Sequence, residues 1–256
     1  MKKYLYNYQT IIRFVSPVSR HFFHLRCMPC INACQQVSKR ELFLHPADFL
    51  THDHDTWGNP IQYGSRMEPH DSFVFVSSGE AILSPYCIPA EEDTNVFSVQ
   101  SALTGISPQM KQFIMDVGEG NTPLERALSL SQALYEYMQY TPGSTAMDTT
   151  ATEAFEQRKG VCQDYAHILI AMCRQRGIVA RYVNGFLPGT GVTHAWVEVL
   201  TGDTWRGIDP TNNQLIEYGY IKLSHGRDAA DCPVNRGVFT GTAMQQTEIR
   251  VIVEEI

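Results

Sequence analysis

Residues Gly160 to Pro210 read GVCQDYAHILIAMCRQRGIVARYVNGFLPGTGVTHAWVEVLTGDTWRGIDP: a helix headed by a cysteine, then strands bearing a histidine and an aspartate. From Cys162 to Arg176 apolar side chains recur at 166, 169, 170 and 173, a helical spacing. Gly160, just before it, suits a backbone conformation other residues avoid. Gly177 ends the helix, and Arg174 and Arg176 lie in its last turn, where positive charge complements the carbonyl end. Cys162 therefore sits in the first turn, where unpaired N–H groups and the positive end of the macrodipole favour a thiolate. Cys173, deep in the same helix, receives no such help. Asp164 is read as a cap or dipole complement of that first turn.

HAWVEVL and DTWRGID alternate with period two and predict a β-hairpin. A Thr201-Gly202 turn would set Leu200 opposite Asp203 and His194 opposite Asp209. Directly opposed residues share a face with Cβ atoms about 4.5 to 5.5 Å apart, close enough for a carboxylate to accept a proton from one ring nitrogen. The other nitrogen is then free to meet Cys162. The same register sets Trp196 opposite Gly207 and Glu198 opposite Trp205. It leaves two indoles on the face of the site, either to exclude water or to pack the core. A thiol, a base and an orienter in this relation are the parts of nucleophilic acyl transfer.

Three blocks carry a family resemblance: GVCQDYAH (160–167), THAWVEV (193–199) and GIDPTN (207–212) resemble the signatures of the transglutaminase-like superfamily, in particular its bacterial cysteine-protease-like branch. TATEAFEQRKG (150–160), RYVNGFL (181–187) and GRDAADCPVNRGVFTG (226–241) are similar to that branch as well. HFFHLRCMP (21–29), DTWGNPIQY (55–63) and the following Pro69-His70 resemble a β-sandwich domain that commonly precedes such a catalytic domain. The resemblance implies Cys162 as nucleophile, His194 as general base and acid, and Asp209 as orienter. It implies an α+β protein: an N-terminal antiparallel β-sandwich, then a papain-like or transglutaminase-like cysteine-hydrolase core with helices packed on an antiparallel sheet. The implied activity is that of a cysteine protease or amidase. Protein-glutamine transglutamination, with an amine as acceptor, is the alternative, and a non-catalytic binding module on the same fold is another. The oxyanion donor beside the Cys162 N–H is open. Animal transglutaminases use an upstream tryptophan, whereas TPLERALSLSQALYEYMQY (122–140) contains none. Tyr140 and Gln157 are candidates to replace it, and Trp196 is a cleft candidate.

Residues 1–85 show alternating aromatic-rich runs and form the expected sandwich; 86–104, rich in Pro, Glu and Asp, read as a linker; 105–256 form the expected catalytic domain. Ser107-Pro108 and Thr122-Pro123, the latter with Glu125, predict helix starts. The 256 residues, 43% of them hydrophobic, suffice for two cores, and a net charge of −7 gives no basic footprint for nucleic acid. No eighteen-residue apolar run predicts a membrane span. The segment after the two N-terminal lysines is too polar for a signal-peptide core, and seven cysteines suit a reducing compartment, so a cytoplasmic location is expected. The expected partner is a protein or peptide substrate, with neither nucleic acid nor membrane, and the chemistry requires no metal or organic cofactor.

Other polar groups have plainer readings. His21, His24, Cys27, Cys30 and Cys34 loosely resemble zinc ligands, but strand alternation turns His24 away from His21 and Cys27, and no second paired-cysteine motif follows. His52, Asp53, His54 and Asp55 read as a solvated hairpin loop. His167 lies about 140° around the helix from Cys162 and reads as a buried or interdomain histidine. Arg227, Asp228 and Asp231 read as a structural ion pair.

Overall fold

The computed structural model describes residues 1–256 except Asp116, Gly118 and Glu119. In chain order the first strands are β1 (Lys2–Leu25), β2 (Gln35–His45), β3 (Phe49–His54), β4 (Pro60–Arg66) and β5 (His70–Leu83). Then follow β6 (Ile88–Pro89), α1 (Pro108–Met115), α2 (Pro123–Tyr137), β7 (Gln139–Tyr140), α3 (Ala151–Gln157), β8 (Lys159–Gly160) and α4 (Cys162–Gln175). The remainder comprises β9 (Ala180–Phe186), β10 (Gly189–Gly191), β11 (His194–Thr201), β12 (Thr204–Asp209), β13 (Gln214–Leu215), β14 (Ile221–Gly226), β15 (Asn235–Thr240) and β16 (Gln245–Glu255). The fold is α+β, with antiparallel sheets carrying the helices on one side.

Strict alternation along β1 buries Tyr4, Tyr6, Tyr8, Thr10, Ile12 and Phe14 on one face. Its first half pairs with β5 and β16, its second with β4 and β15. Between the halves the register with β5 shifts after Arg13, and Arg20 adopts a positive φ of 48°. One bent strand thus serves two packed sheets, a common way to turn the corner of a sandwich. Phe73, Phe75, Phe23 and Leu25 fill the space between them.

Strand pairing runs across the boundaries expected from sequence. β15 and β16, from the C-terminal part of the chain, are strands of the N-terminal sheet, and β16 also pairs with β10. Segment 86–104 is packed rather than loose. β6 pairs with β12, Phe97 is buried, and the guanidinium of Arg174 donates to Phe97 O and Thr104 Oγ1 at 2.9 and 2.8 Å. Apolar Ile88 and Phe97 offset the polarity of their neighbours. The N-terminal core also takes in Phe186, Ile221 and Leu223 from the second sheet.

That second sheet has the order β13-β12-β11-β9-β14. One face, with Ala180, Tyr182, Ala195, Val197 and Val199, packs against α4. The other carries Trp196 and Trp205 into a cluster with Tyr86, Ile88, Phe97 and Tyr220. α4 buries every residue from Asp164 to Arg174, more than one face, because α1, α2 and α3 enclose its outer side. Helix α2 begins with the expected Thr122–Glu125 capping box, and α3 has a second at Thr150–Glu153.

The hairpin register differs from the expected one by two residues. Thr201 pairs with Thr204 and Val197 with Ile208, so the turn is Gly202-Asp203. Gly202 has φ 61°, which a type II′ turn requires at its first central position. Asp209 is therefore diagonal to His194, not directly opposite, and Glu198 faces Gly207. An even shift preserves the side-chain face, so His194 and Asp209 remain on the same one.

Candidate active site

Cys162 is the first residue of α4, half-buried, where a short parallel bridge delivers the chain. Tyr140 pairs with Gly160, and Thr141 N donates to Gly160 O at 2.9 Å. Gly160 is needed for space, not for an unusual φ. A Cβ there would stand 2.6 Å from the Asp164 Cβ. Asp164, fully buried, closes the first turn by accepting from Val161 N and Thr145 Oγ1, each at 2.7 Å. Burial raises its pKa, opposed by those same hydrogen bonds.

His194 begins β11 and Asp209 ends β12, which brings both to one end of the sheet. His194 Nε2 lies 2.8 Å from Asp209 Oδ2. Nε2 is committed to the carboxylate, which leaves Nδ1 as the free ring nitrogen. Burial by itself would lower the imidazole pKa. The hydrogen bonds to Asp209 and Cys162 and the charges of both outweigh it, raising the value to about 9. Asp209 is buried as well, which would raise its pKa. Its bonds to His194, Tyr220 and Asn212 and the imidazolium charge hold it below the ordinary carboxylate value.

Asp209 is itself fixed by four further donors. Thr211 N and Asn212 N donate to Oδ1 at 2.9 and 3.2 Å, while Asn212 Nδ2 and the Tyr220 hydroxyl donate to Oδ2 at 2.7 and 2.6 Å. Such bonds to a buried charge are the strong kind. The turn after the strand supplies three of them, a local geometry that the Asp-Pro-Thr-Asn run could have suggested. Tyr220 comes from a distant segment, and no signal around it points to the role.

An open cleft of about 640 Å³ lies over His194, lined also by Tyr135, Met138, Gln139, Tyr140, Tyr165, Leu187, Thr211 and Asn212. Of the further candidates, Tyr140 is on this cleft and half exposed, near enough to Cys162 that the sulfur's charge adds to burial in raising its phenol pKa. Gln157 is exposed at the end of α3 and does not line the cleft. Trp196 is fully buried, its indole N–H donating to Tyr86 Oη at 3.0 Å, so it packs the core below the site.

The other polar residues are bound elsewhere. His167 is fully buried against Tyr182, accepts from Ala229 N at 3.1 Å, and is lowered to about 4, chiefly by burial. His21 pairs with His70, Cys27 donates to Gln62, and Cys30 donates to Lys222 O. Asp55 is not a loose loop residue: it binds Arg26 Nε and accepts from Trp57 N and Asn59 N, all at 2.9 Å. Arg227 and Asp231 form an ion pair at 2.9 Å, and Asp228 caps the short turn between them. Beneath the site Glu198, Arg181 and Lys222 form a buried charge cluster, with Lys222 Nζ 2.8 Å from both carboxylate oxygens.

A cysteine-headed helix laid on an antiparallel sheet, with an imidazole–carboxylate pair at the sheet end, has the architecture of a thiol-dependent enzyme. Comparison with known proteins narrows this class. Residues 111–210 match the transglutaminase-like superfamily, and residues 4–81 match the bacterial transglutaminase-like N-terminal region. An uncharacterized protein of Mycobacterium tuberculosis is 33% identical over 231 residues, covering 76% of this chain and 73% of its own. Another, from Mycobacterium leprae, is 26% identical over 263 residues, with 93% of each chain covered. The crystal structure of a "putative cysteine protease" from Cytophaga hutchinsonii has the same fold, with TM-score 0.83 at 22% identity over 100% of this chain and 91% of that one. The chain belongs to the transglutaminase-like superfamily and carries its bacterial N-terminal domain.

Proposed function

We propose that the protein is a thiol-dependent acyl-transfer enzyme that cleaves peptide or side-chain amide bonds as a cysteine protease or amidase. The observation that carries this reading is the His194 ring, bound to Asp209 through Nε2 and raised to about 9 by Asp209 and Cys162 together. An imidazolium is then the stable form of that ring at neutral pH. The sulfur attacks the amide carbonyl carbon, the carbonyl electrons move to oxygen, and the Cys162 N–H and the Tyr140 hydroxyl stabilise that oxyanion. The C–N bond breaks as His194 gives its proton to the departing amine, leaving a thioester and a neutral imidazole. Water, deprotonated by His194, then attacks the thioester; the sulfur leaves as thiolate and the acyl group as a carboxylic acid. Asp209 holds the ring in place through both steps and stabilises its positive form.

The substrate is a protein or peptide, and no step requires a metal or organic cofactor. Seven free thiols fit a reducing compartment, and we place the protein in the cytoplasm. Among the described residues no helix is long and apolar enough to cross a membrane.

Alkylation with iodoacetamide, read by peptide mass, tests the reading. Cys162 should react far faster than Cys173, which is fully buried with its thiol pushed up to about 12. The exposed Cys87 serves as the reference for an ordinary surface thiol. A Cys162 no faster than Cys87 refutes an activated nucleophile. A fluorescent primary amine offered with a glutamine donor separates the acceptors: incorporation outpacing ammonia release without incorporation would make the protein a transglutaminase instead.

A further inference from the structure

The cleft over His194 has a chemical character that bears on what the nucleophile meets. Three tyrosine rings, Tyr135, Tyr140 and Tyr165, line it with the thioether of Met138 and the isobutyl group of Leu187. Tyr140 and Tyr165 have ring centroids 6.5 Å apart, and Tyr135 and Tyr140 lie close enough to Tyr165 to raise its phenol pKa further above what burial does. The remaining lining side chains, Gln139, Thr211 and Asn212, are uncharged, so His194 is the one ionisable cationic group among the described lining residues and no carboxylate is there. A cationic substrate side chain entering this cleft would lose water with no lining carboxylate to meet it, and an anionic one would find only the His194 ring, already paired with Asp209. An aromatic or branched apolar side chain would replace water against ring faces.

We infer that this cleft selects substrates carrying an aromatic or large aliphatic side chain beside the attacked carbonyl, with Tyr135 as a specificity-determining residue. The inference rests on the thiol-enzyme reading above. Tyr135 projects from α2 and is 47% exposed. It takes no part in the proton transfers. Its ring, not its hydroxyl, is the recognising surface.

The test uses peptidyl acyloxymethyl ketones identical except for the side chain next to the ketone: Phe, Leu, Glu or Lys. Intact mass follows their attachment to the full-length protein, and iodoacetamide alkylation of Cys162 is measured in parallel. The Phe and Leu probes should react on the order of 100-fold faster than the Glu and Lys probes. Tyr135→Ala should erode that ratio about tenfold and Tyr135→Phe preserve it, both with unchanged iodoacetamide rates and circular dichroism. Equal rates for the four probes, a preference for Lys or Glu, or a ratio untouched by Tyr135→Ala would overturn the inference while leaving the nucleophile intact. Loss of selective iodoacetamide alkylation in the unmodified protein would instead overturn the thiol-enzyme reading, and the specificity with it.

Discussion

Replacing Asp209 by Asn keeps the size and most acceptor geometry of the side chain but removes its charge. In the native protein His194 is raised from 6.5 to about 9 despite burial that pulls the other way. At about 1.36 kcal/mol per pKa unit this favours the charged ring by about 3 kcal/mol. The Asp209 hydrogen bond is the largest of the contributions that raise it, ahead of those from Cys162. Without the carboxylate charge the buried ring should titrate near or below 6.5. An imidazole whose pKa is higher folded than unfolded adds stability that is complete below the unfolded value, near 6.5, and is lost as pH rises through about 9. The native protein should therefore exceed the Asp209→Asn variant in stability most at pH 6. The gap should narrow by up to about 3 kcal/mol by pH 10. Two assays read this: the Cε1 proton resonance of His194 across pH, and urea unfolding of both proteins at several pH values. A variant histidine still titrating near 9, or a stability gap independent of pH, would refute the carboxylate's role.

Three further perturbations probe the surroundings. Tyr220→Phe removes one hydrogen bond to a buried charge, about 1.5 to 3 kcal/mol in such settings; we expect roughly a tenfold fall in acyl-transfer rate, seen in steady-state kinetics. Gly160→Ala forces a Cβ to within 2.6 Å of Asp164 Cβ, so urea melts should show a loss of about 1 to 3 kcal/mol and iodoacetamide a slower Cys162. Glu198→Gln leaves Arg181 and Lys222 buried without their shared anion, which should cost about 3 to 5 kcal/mol in calorimetry or denaturant unfolding.

Much of this architecture could be read before any coordinates, and the misreadings have identifiable causes. Helix α4, its cysteine head and the period-two strands β11 and β12 are local patterns, so sequence carries them. The hairpin register is ambiguous in sequence because Thr201-Gly202 and Gly202-Asp203 are both acceptable turn pairs. Only the positive φ of Gly202 at the first central position decides between them. The error was even, so the face of Asp209 survived it. Sheet membership of β15 and β16 rests on pairing with residues more than two hundred positions away, which alternation in TEIRVIVEEI cannot specify. The packing of 86–104 was hidden by its acidic and proline-rich composition, although Ile88 and Phe97 were visible apolar anchors. Tyr220 owes its contact with Asp209 to tertiary folding alone, and Trp196 shares a face with His194 but lies deeper, fully buried.

The pairing of β10 with β16 ties Gly189–Gly191, three residues short of His194, to a strand whose other neighbour is β1. Strands β1 and β16 therefore meet beside the segment that leads to His194. Residues 105–256 cut free from the sandwich would leave Val251 and Val253 bare and their strand with no long partner. Strands β1 and β16 thus brace the segment that leads into His194, and a shortened version of the protein should keep both.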